Sequence, residues 1–198
     1  PSLYSLYAPG FGNRALRPEE SVQVEGGARY APDAASVLSV RAFENRIRNR
    51  FGFGATYLNT ARAEVRGVEF EASRRLPRGF RTFVHATYLA SEDVATGRDL
   101  PDVPRWKIGT KLQYDPSAGH SLTFSALWKS SRTATLFGGA TERLPSFVRL
   151  DFGSRHAITE KLAFSARIEN LLDRDYQEIR GYSSPGISAY VGLELVAL

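Results

Sequence analysis

The feature that most constrains this chain is an alternation of apolar and polar residues that recurs along most of its length. Residues 106–114 (WKIGTKLQY) place Trp106, Ile108 and Leu112 on one side of an extended chain and two lysines on the other. Successive side chains of a β-strand point to opposite faces, so a period of two predicts a strand with one apolar and one polar face. Helical spacing is almost absent. The sequence therefore predicts an all-β, antiparallel fold.

Nine segments carry this alternation. The regular ones begin at Ser21, Arg66, Trp106, Leu122, Val148, Leu162 and Ile187, and the less regular ones are residues 37–45 and 80–91. Short links with turn-forming residues lie at 31–35, 75–79, 115–120 and 157–161, and much longer links lie at 47–63, 92–104, 131–145 and 172–186. Short and long links alternate without exception. This arrangement is typical of an outer-membrane β-barrel.

Aromatic residues favour the same interpretation. The outward-facing rings form two groups, Tyr88, Trp106 and Trp128 near the long loops and Tyr30, Phe80 and Tyr114 near the short turns. Aromatic girdles at both water–lipid boundaries are expected of a membrane barrel. A soluble sheet over a protein core explains the alternation equally well, but it does not explain the girdles.

Charged residues near the 157–161 turn suggest how two strands pair. A symmetric hairpin would place Asp151 opposite Arg167 and Arg149 opposite Glu169. Each pair of opposite charges would stabilise the hairpin by about 0.2–1 kcal/mol. A charged face behind an apolar face fits a wet interior and a lipid exterior.

Composition excludes several other classes of protein. The chain of 198 residues is 42% hydrophobic and 12% aromatic, which is too apolar for a disordered polypeptide. Because it has no cysteine, it can form neither a disulfide scaffold nor a cysteine-based zinc site. It also lacks the run of about 20 apolar residues that a membrane-spanning helix requires.

Neither catalysis nor nucleic-acid binding is supported by the sequence. The histidines His85, His120 and His156 have no accompanying nucleophile motif or metal-spaced cluster, so we expect no catalytic residue, no metal site and no cofactor. The net charge of +5 comes mostly from single arginines among acidic residues, with no basic stripe. We therefore expect no nucleic-acid partner.

The strand count predicts a partial barrel. Closed bacterial barrels have an even number of strands, and an open sheet edge in lipid leaves costly unpaired hydrogen-bonding groups. The first strand follows a long segment of external type, residues 1–20, whereas the last strand ends on the short-turn side. We expect residues 1–198 to be one partial outer-membrane β-barrel domain whose earlier strands are missing. The alternative is a closed eight-strand barrel in which residues 37–45 are not a strand.

Four short motifs follow one another along the chain. They are GNRALRPEES at 12–21 with EGG at 25–27, RGVEFE at 66–71, PDVPRW at 101–106, and NLLDRDY at 170–176 with GY at 181–182 and PG at 185–186. Together they resemble the barrel of the TonB-dependent outer-membrane receptor family over essentially the whole chain. The last motif is most similar to the cobalamin-receptor branch. Three positions depart from the family pattern, which usually has Pro at Arg14, Arg at Ile187 and an aromatic residue at Leu198.

The resemblance implies the C-terminal part, about nine strands, of a transmembrane barrel of about 22 strands, whose lumen must be plugged. It implies active import of cobalamin or an iron–siderophore complex across the outer membrane of a Gram-negative bacterium. The expected partners are outer-membrane lipid and lipopolysaccharide, the protein's own plug domain, TonB acting through that plug, and the small-molecule ligand. The plug domain and the N-terminal barrel strands are expected upstream of this chain.

The resemblance also implies roles for two sets of residues. Inward polar residues would face the wet lumen and the plug; they are Gln23, Glu25, Arg29, Glu69, Glu71, Lys111, Arg149, Asp151, Arg167 and Glu169. The simpler role for any one of these is hydration of the lumen and pairing within the barrel. Long-loop residues would capture the ligand; they are Phe51, Phe53, Tyr57, Asn59, Arg62, Arg132, Phe137, Arg143, Tyr176, Arg180 and Tyr182.

Aromatic rings with arginine suit bulky anionic or conjugated ligands such as iron chelates and corrinoids. Loop packing, and contact of arginine with lipopolysaccharide, are the simpler roles for each loop residue. Two alternative functions stay open at this point. One is a passive outer-membrane porin, and the other is a soluble carbohydrate-binding β-sandwich.

Overall fold

The computed structural model of the protein describes residues 1–59, 62–135 and 140–195. A short helix, α1 (Leu3–Tyr7), precedes the strands. In chain order the strands are β1 (Glu20–Asp33), β2 (Ser36–Arg48), β3 (Phe51–Phe53), β4 (Tyr57–Asn59), β5 (Arg62–Arg75), β6 (Phe80–Asp93), β7 (Trp106–Ser117), β8 (His120–Lys129), β9 (Arg132–Thr135), β10 (Thr141–Leu144), β11 (Phe147–Ala157), β12 (Leu162–Glu169) and β13 (Ser188–Leu195). A 3-10 turn, Pro77–Gly79, precedes β6. Within the described ranges, no helix has the length and apolar character needed to cross a membrane.

The long strands form one antiparallel sheet of nine strands in the order β1-β2-β5-β6-β7-β8-β11-β12-β13. The prediction of an all-β antiparallel meander of about nine strands is confirmed. The eight-strand alternative is wrong, because residues 37–45 lie within β2, which pairs along its length with β1 on one side and β5 on the other. Among the described residues, no pairing joins β1 to β13, so this sheet is open.

Two of the long links contain strands that the alternation did not predict. β3 pairs with β4, and β9 pairs with β10, each as a small antiparallel sheet outside the main one. Buried apolar side chains concentrate at this end of the molecule, where the loops meet the strands; they include Leu100, Ala134, Leu144, Phe147 and Tyr176. The loop end therefore holds most of the packed core.

The strand register divides the main sheet into two faces, since residues directly opposite one another lie on the same face. One face, called here the apolar face, carries Val24, Phe124, Leu150 and Val191. Val191 is 77% exposed and Phe124 is 41% exposed, and Leu150 is only partly buried. No second layer of the described residues covers this face, which argues against the soluble sandwich.

The predicted aromatic girdles lie on the apolar face. Tyr88 is opposite Trp106 at the long-loop end, with ring centroids 4.8 Å apart. Phe80 is opposite Tyr114 at the short-turn end, where the rings stack at 4.4 Å. These contacts stabilise the two rows of rings in addition to any contact with lipid.

The predicted register of the β11–β12 hairpin is wrong by two residues. Ala157 is opposite Ala163, and Arg167 is opposite Gly153, where Asp151 was expected. The hydroxyl of Thr159 accepts hydrogen bonds from the main-chain N–H groups of Lys161 and Leu162, at 3.2 and 3.1 Å. This contact lies in a turn centred on residue 160, whereas the predicted pairs centre the turn on residue 159. The two predicted cross-strand ion pairs are therefore not formed.

Candidate functional site

The other side of the main sheet, called here the polar face, carries the charged residues that alternate with the apolar ones. All ten residues predicted to face inward lie on it: Gln23, Glu25, Arg29, Glu69, Glu71, Lys111, Arg149, Asp151, Arg167 and Glu169. Arg41, which the sequence did not single out, pairs with Glu69 and lies 3.5 Å from Glu25. This row links three neighbouring strands across the face.

The acidic and basic residues of β11 and β12 pair along each strand. Arg149 contacts Asp151 at 3.1 Å, and Arg167 contacts Glu169 at 3.2 Å. The Arg167 guanidinium also lies 4.8 Å from the ring centroid of Tyr190 on β13. A depression of about 640 Å³ on the polar face is lined by these five side chains, among others. It presents donors and acceptors that suit a polar protein segment or water.

Two glycines on the polar face allow large side chains to lie flat across the sheet. The ring of His85 lies over Gly109, directly opposite it on β7, in the space that a Cβ atom would need. Phe43 and Leu89 lie over Gly67 in the same way, 2.5 and 2.8 Å from the position of its missing Cβ. Glycine is required at these sites by close approach of neighbouring side chains.

At the long-loop end, aromatic side chains from two separate segments meet. This aromatic loop cluster consists of Tyr4, Phe11, Phe53 and Tyr57, and Tyr7 lies on the same short helix as Tyr4. The rings of Tyr4 and Tyr57 meet edge to face at 6.3 Å, those of Phe11 and Phe53 at 6.4 Å, and those of Phe53 and Tyr57 at 4.9 Å. Tyr4 is 62% exposed, so the cluster opens to solvent.

Arginine accompanies the exposed rings. The guanidinium of Arg14 lies 4.8 Å from the centroid of the Tyr7 ring. Cation–π contacts of this kind hold a positive charge beside an aromatic face. The cluster therefore combines open aromatic surface with a basic group, which is the chemistry expected for capture of a conjugated or anionic ligand.

Hydrogen bonds hold the two segments of the cluster together. Tyr57 donates its main-chain N–H to the carbonyl of Phe11 at 3.0 Å, and Asn13 donates its side-chain amide to the carbonyl of Tyr57 at 2.9 Å. The Asn59 side chain accepts from the N–H of Arg17 at 2.8 Å and donates to its carbonyl at 3.1 Å. Asn59 was predicted to contact a ligand, and the structure gives it this anchoring contact.

Sequence reasoning missed Tyr4, Tyr7 and Phe11 because they precede the first strand. The only available signal was the spacing of three residues between Tyr4 and Tyr7, which places these two rings on one side of a short helical turn, whereas Phe11 lies beyond the helix. Which loop they would meet depends on contacts more than 40 residues away along the chain, such as that between Asn13 and Tyr57.

The final loop is anchored by its own signature motif. Asn170 is 2% exposed, and its side chain accepts from the N–H of Arg174 and donates to the carbonyls of Arg174 and Pro185. Asp173 accepts from the N–H of Ile187 at 2.9 Å. Asp151, on the polar face, accepts from the N–H of Asn170 at 3.0 Å. The motif therefore fixes the base of the loop above β11.

Two of the predicted ligand residues are buried within this loop packing. The Arg132 side chain, 5% exposed, donates to the carbonyls of Gln177 and Glu178 at 2.8 and 2.6 Å. Tyr176 is 8% exposed and stacks on Phe147 at 4.2 Å. Both side chains join one loop to another in this conformation.

The remaining predicted ligand residues are spread over the loop end. Arg180 pairs with Glu142 at 2.6 Å, Arg143 donates to the hydroxyl of Ser131 at 2.8 Å, and Tyr182 is exposed. Phe51 begins β3 and Arg62 begins β5. Phe137 lies outside the described residues.

The loop before β7 carries its own ion pair. Asp99 accepts hydrogen bonds of 3.0 and 2.9 Å from the guanidinium of Arg105, and this contact raises the pKa of Arg105. The N–H of Asp102 donates to the carbonyl of Thr133 at 2.7 Å, which joins this loop to β9. Neighbouring loops are therefore tied to each other at their bases.

Two of the three histidines meet on the main sheet. His120 and His156 are opposite each other on β8 and β11, with their Nδ1 atoms 3.2 Å apart. Within residues 1–59, 62–135 and 140–195, no group of three or more His, Cys, Asp or Glu side chains is arranged to hold a metal ion.

Comparison with known proteins identifies the family. The TonB dependent receptor-like beta-barrel family matches residues 1–171. The chain is 23% identical to the vitamin B12 transporter BtuB of Vibrio cholerae serotype O1, over 98% of this chain and 32% of that protein. It therefore spans about a third of the length of the curated relatives it matches.

Solved structures share the fold. The copper transporter OprC superimposes with a TM-score of 0.82 at 18% identity, over 98% of this chain and 35% of that one. The ferric enterobactin receptor PfeA of Pseudomonas aeruginosa gives 0.78 at 21% identity, over 93% of this chain and 32% of that one. The match to the family, together with the open nine-strand sheet, shows that the chain belongs to the TonB-dependent receptor family and forms part of its antiparallel transmembrane β-barrel.

Proposed function

We propose that this chain is the C-terminal part of the barrel of an outer-membrane active transporter that imports a scarce nutrient chelate. The ligand is cobalamin or an iron–siderophore complex. The aromatic loop cluster is the observation on which this proposal depends most. Its open rings, together with Tyr7 and Arg14 of the same first segment, suit a large conjugated or anionic ligand, because aromatic faces and guanidinium groups bind such surfaces together.

The named relatives support these two ligand classes. The chain resembles a vitamin B12 transporter along almost all its length, and it shares its fold with a ferric enterobactin receptor. The loop chemistry suits both ligands, since corrinoids and catecholate chelates are both bulky and conjugated. Direct binding to each ligand decides between them.

The polar face supports the energy-coupled part of the proposal. A barrel of about 22 strands encloses a lumen that must be filled. Ion-paired residues such as Arg149, Asp151, Arg167 and Glu169 line a polar depression there, and they offer hydrogen-bond partners to a plug domain encoded upstream. TonB would act on that plug, and the chain described here would supply the wall and the loops.

The apolar face supports a location in the outer membrane of a Gram-negative bacterium. Its aromatic rings at Tyr88–Trp106 and Phe80–Tyr114 mark two levels, with aliphatic residues such as Val84 and Ile108 between them. Lipid and lipopolysaccharide would surround this face.

Within the predicted ligand set, burial separates two roles. We assign Phe53 and Tyr57 to ligand capture, together with Tyr4 and Phe11 from the first segment. Arg132 and Tyr176 are assigned to holding the loops, because their side chains are buried against other loops.

The test is uptake and binding by cells that produce the full-length receptor containing this chain. Radiolabelled cobalamin and ferric enterobactin serve as probes. We expect saturable binding of one of them, and uptake that stops when the proton gradient is collapsed while binding persists. The Tyr4→Ala, Phe11→Ala double variant should weaken binding by about thirtyfold, since each exposed ring contributes roughly 1 kcal/mol.

Leu172→Ala is the matched control, because Leu172 is an exposed apolar residue of another external loop. It should bind the ligand as the wild-type receptor does. Uptake that continues without a proton gradient would indicate a passive porin. Unchanged binding in the aromatic double variant would remove the loop cluster from the ligand site.

A further inference from the structure

The pair formed by His120 and His156 has no part in the proposed transport function. The two residues are directly opposite each other on β8 and β11, at the other end of the strands from the ligand loops. Their ring centroids are 5.5 Å apart, and their Nδ1 atoms are 3.2 Å apart. Among the described residues, this contact is the only side-chain hydrogen bond that either ring makes. The pair therefore presents ring nitrogens that no other side chain uses.

The histidine pair lies on the apolar face, one position nearer the turn than the aromatic girdle. Leu122, the next residue of β8 on this face, is opposite the girdle residue Tyr114. His156 is exposed, and His120 is partly buried. In the membrane orientation of the proposed function, this level is that of head groups and periplasmic water. An ion dissolved in that water therefore has access to both rings.

Main-chain contacts hold the two histidines in place. β8 pairs with β7 as well as with β11, and β11 pairs in turn with β12, so neither histidine lies on a free edge of the sheet. On its other side, His156 is opposite Phe164 of β12. Just beyond the pair, the N–H of Ala157 donates to the carbonyl of Gly119 at 2.8 Å. The backbone therefore fixes the spacing of the two side chains before any ligand binds.

The distance between the two Nδ1 atoms matches that between two ligands of one metal ion. Zn²⁺ binds imidazole nitrogen at about 2.0–2.1 Å, so two such nitrogens on a tetrahedral ion are about 3.3 Å apart. Two neighbouring nitrogens of a square-planar ion are about 2.9 Å apart. The observed distance of 3.2 Å lies between these values. Metal binding therefore needs a turn of the two rings and no change in the spacing of the strands.

The type of ligand selects the class of metal. Neutral imidazole suits Zn²⁺, Cu²⁺ and Ni²⁺, whereas Ca²⁺ and Mg²⁺ take oxygen ligands. Within the described residues, no further His, Asp or Glu side chain joins the pair in a metal-binding group. Two protein ligands leave the other coordination positions to water. The site is therefore an open chelate and not a closed structural centre.

We propose that His120 and His156 bind one divalent transition-metal ion, Zn²⁺ or Cu²⁺, through their Nδ1 atoms, with water completing its coordination. The bound ion clamps the turn between β7 and β8 to the turn between β11 and β12, because one histidine lies beside each turn. The sequence predicted no metal site, since the two histidines are 36 positions apart and belong to no metal-spaced motif. Cross-strand pairing brings them together.

The test uses the full-length receptor, purified in detergent without a polyhistidine tag, with Cu²⁺ as the probe. Electron paramagnetic resonance should show a saturable Cu²⁺ signal split by two nitrogens, which the His120→Gln, His156→Gln double variant lacks. Each single variant should bind this ion at least about tenfold more weakly, because one imidazole cannot form a chelate. His85→Gln is the matched control, since His85 lies on the polar face over Gly109. It should bind Cu²⁺ as the wild type does.

Unfolding provides a second readout. Zn²⁺ should raise the urea midpoint of the wild-type receptor, since an ion that binds only the folded state stabilises it, and it should leave the midpoint of either single variant unchanged. Heat-modifiable migration shows that the variants fold.

Three results would overturn the proposal. The first is a wild-type receptor without a saturable Cu²⁺ signal, and the second is an equal signal from the double variant; either leaves the pair as a hydrogen bond. The third is a signal that each single variant keeps at half its size, which would indicate two independent histidines. These measurements need no transported ligand, so failure of the transport proposal is seen separately as absent uptake.

Discussion

The side-chain amide of Asn170 donates a hydrogen bond of 3.2 Å to the carbonyl of Pro185, 15 residues further along the chain. The same side chain accepts from the N–H of Arg174 at 3.0 Å. Asn170 also has a positive φ of 54°, a conformation that asparagine tolerates better than most residues. This one residue therefore closes the base of the final loop, which explains in physical terms why the NLLDRDY motif begins with asparagine.

Asn170→Ala should lower the free energy of unfolding of the receptor by about 2–4 kcal/mol, since the three hydrogen bonds that the buried Asn170 side chain makes to main-chain groups of Arg174 and Pro185 are lost. Urea unfolding of the receptor in lipid vesicles measures this. The control is Asp175→Asn, because Asp175 is an exposed residue of the same loop, five positions after Asn170. This substitution should change stability little. A loss below about 0.5 kcal/mol in Asn170→Ala would show that the loop base is held by other contacts.

Gly109→Ala should destabilise the barrel by about 1–3 kcal/mol, because the new methyl group occupies the place of the His85 ring. Adding His85→Ala should recover most of that loss. Gly26→Ala is the matched strand control, since nothing lies within 4 Å of its missing Cβ. Equal losses of stability in the Gly109 and Gly26 variants would mean that the loss comes from backbone entropy and not from a clash with the His85 ring.

Arg132→Gln should loosen the external loops, because the carbonyls of Gln177 and Glu178 lose a buried, charged donor. We expect faster cleavage of the long loops by trypsin-like and chymotrypsin-like proteases on intact cells. Arg143→Gln is the comparison, since Arg143 is exposed and bonds only to the hydroxyl of Ser131 among the described residues. If both variants were cleaved at the wild-type rate, the Arg132 contacts would not limit loop opening.

Residues 1–198 expressed alone should not insert stably into vesicles. Among the described residues β1 and β13 each pair on one side only, and each unpaired N–H or C=O group in hydrocarbon costs several kcal/mol. Heat-modifiable migration on a gel reports insertion, with the full-length receptor as the positive control. A heat-modifiable band from residues 1–198 would contradict this expectation.

The strands and their faces could be predicted from the sequence because lipid and water impose opposite requirements on alternate residues. That contrast also predicted that residues such as Arg149 and Glu71 share the polar face of the sheet. It could not predict β3–β4 or β9–β10, which lie outside the membrane sheet and are too short to show a clear period. The register of β11 with β12 is accompanied by local contacts in the turn, among them the two hydrogen bonds that the Thr159 hydroxyl accepts, and the alternation of apolar and polar residues does not encode such contacts.

The loop site could be predicted only in part. Phe53 and Tyr57 were identified from their residue types, but their partners Tyr4 and Phe11 come from a segment with no strand pattern. The burial of Tyr176 depends on its stacking against Phe147, almost thirty positions earlier in the chain. Such long-range contacts leave no local signal in the sequence.

The central claim is that the two faces of the main sheet meet different solvents, and labelling along β8 tests it most directly. The chain has no cysteine, so single cysteines can be introduced at positions 122 to 126 of the full-length receptor and labelled with a fluorophore. In vesicles of brominated lipid, we predict strong quenching at positions 122, 124 and 126 and weak quenching at 123 and 125. Quenching that does not alternate, or that is stronger at 123 and 125, would contradict the claim.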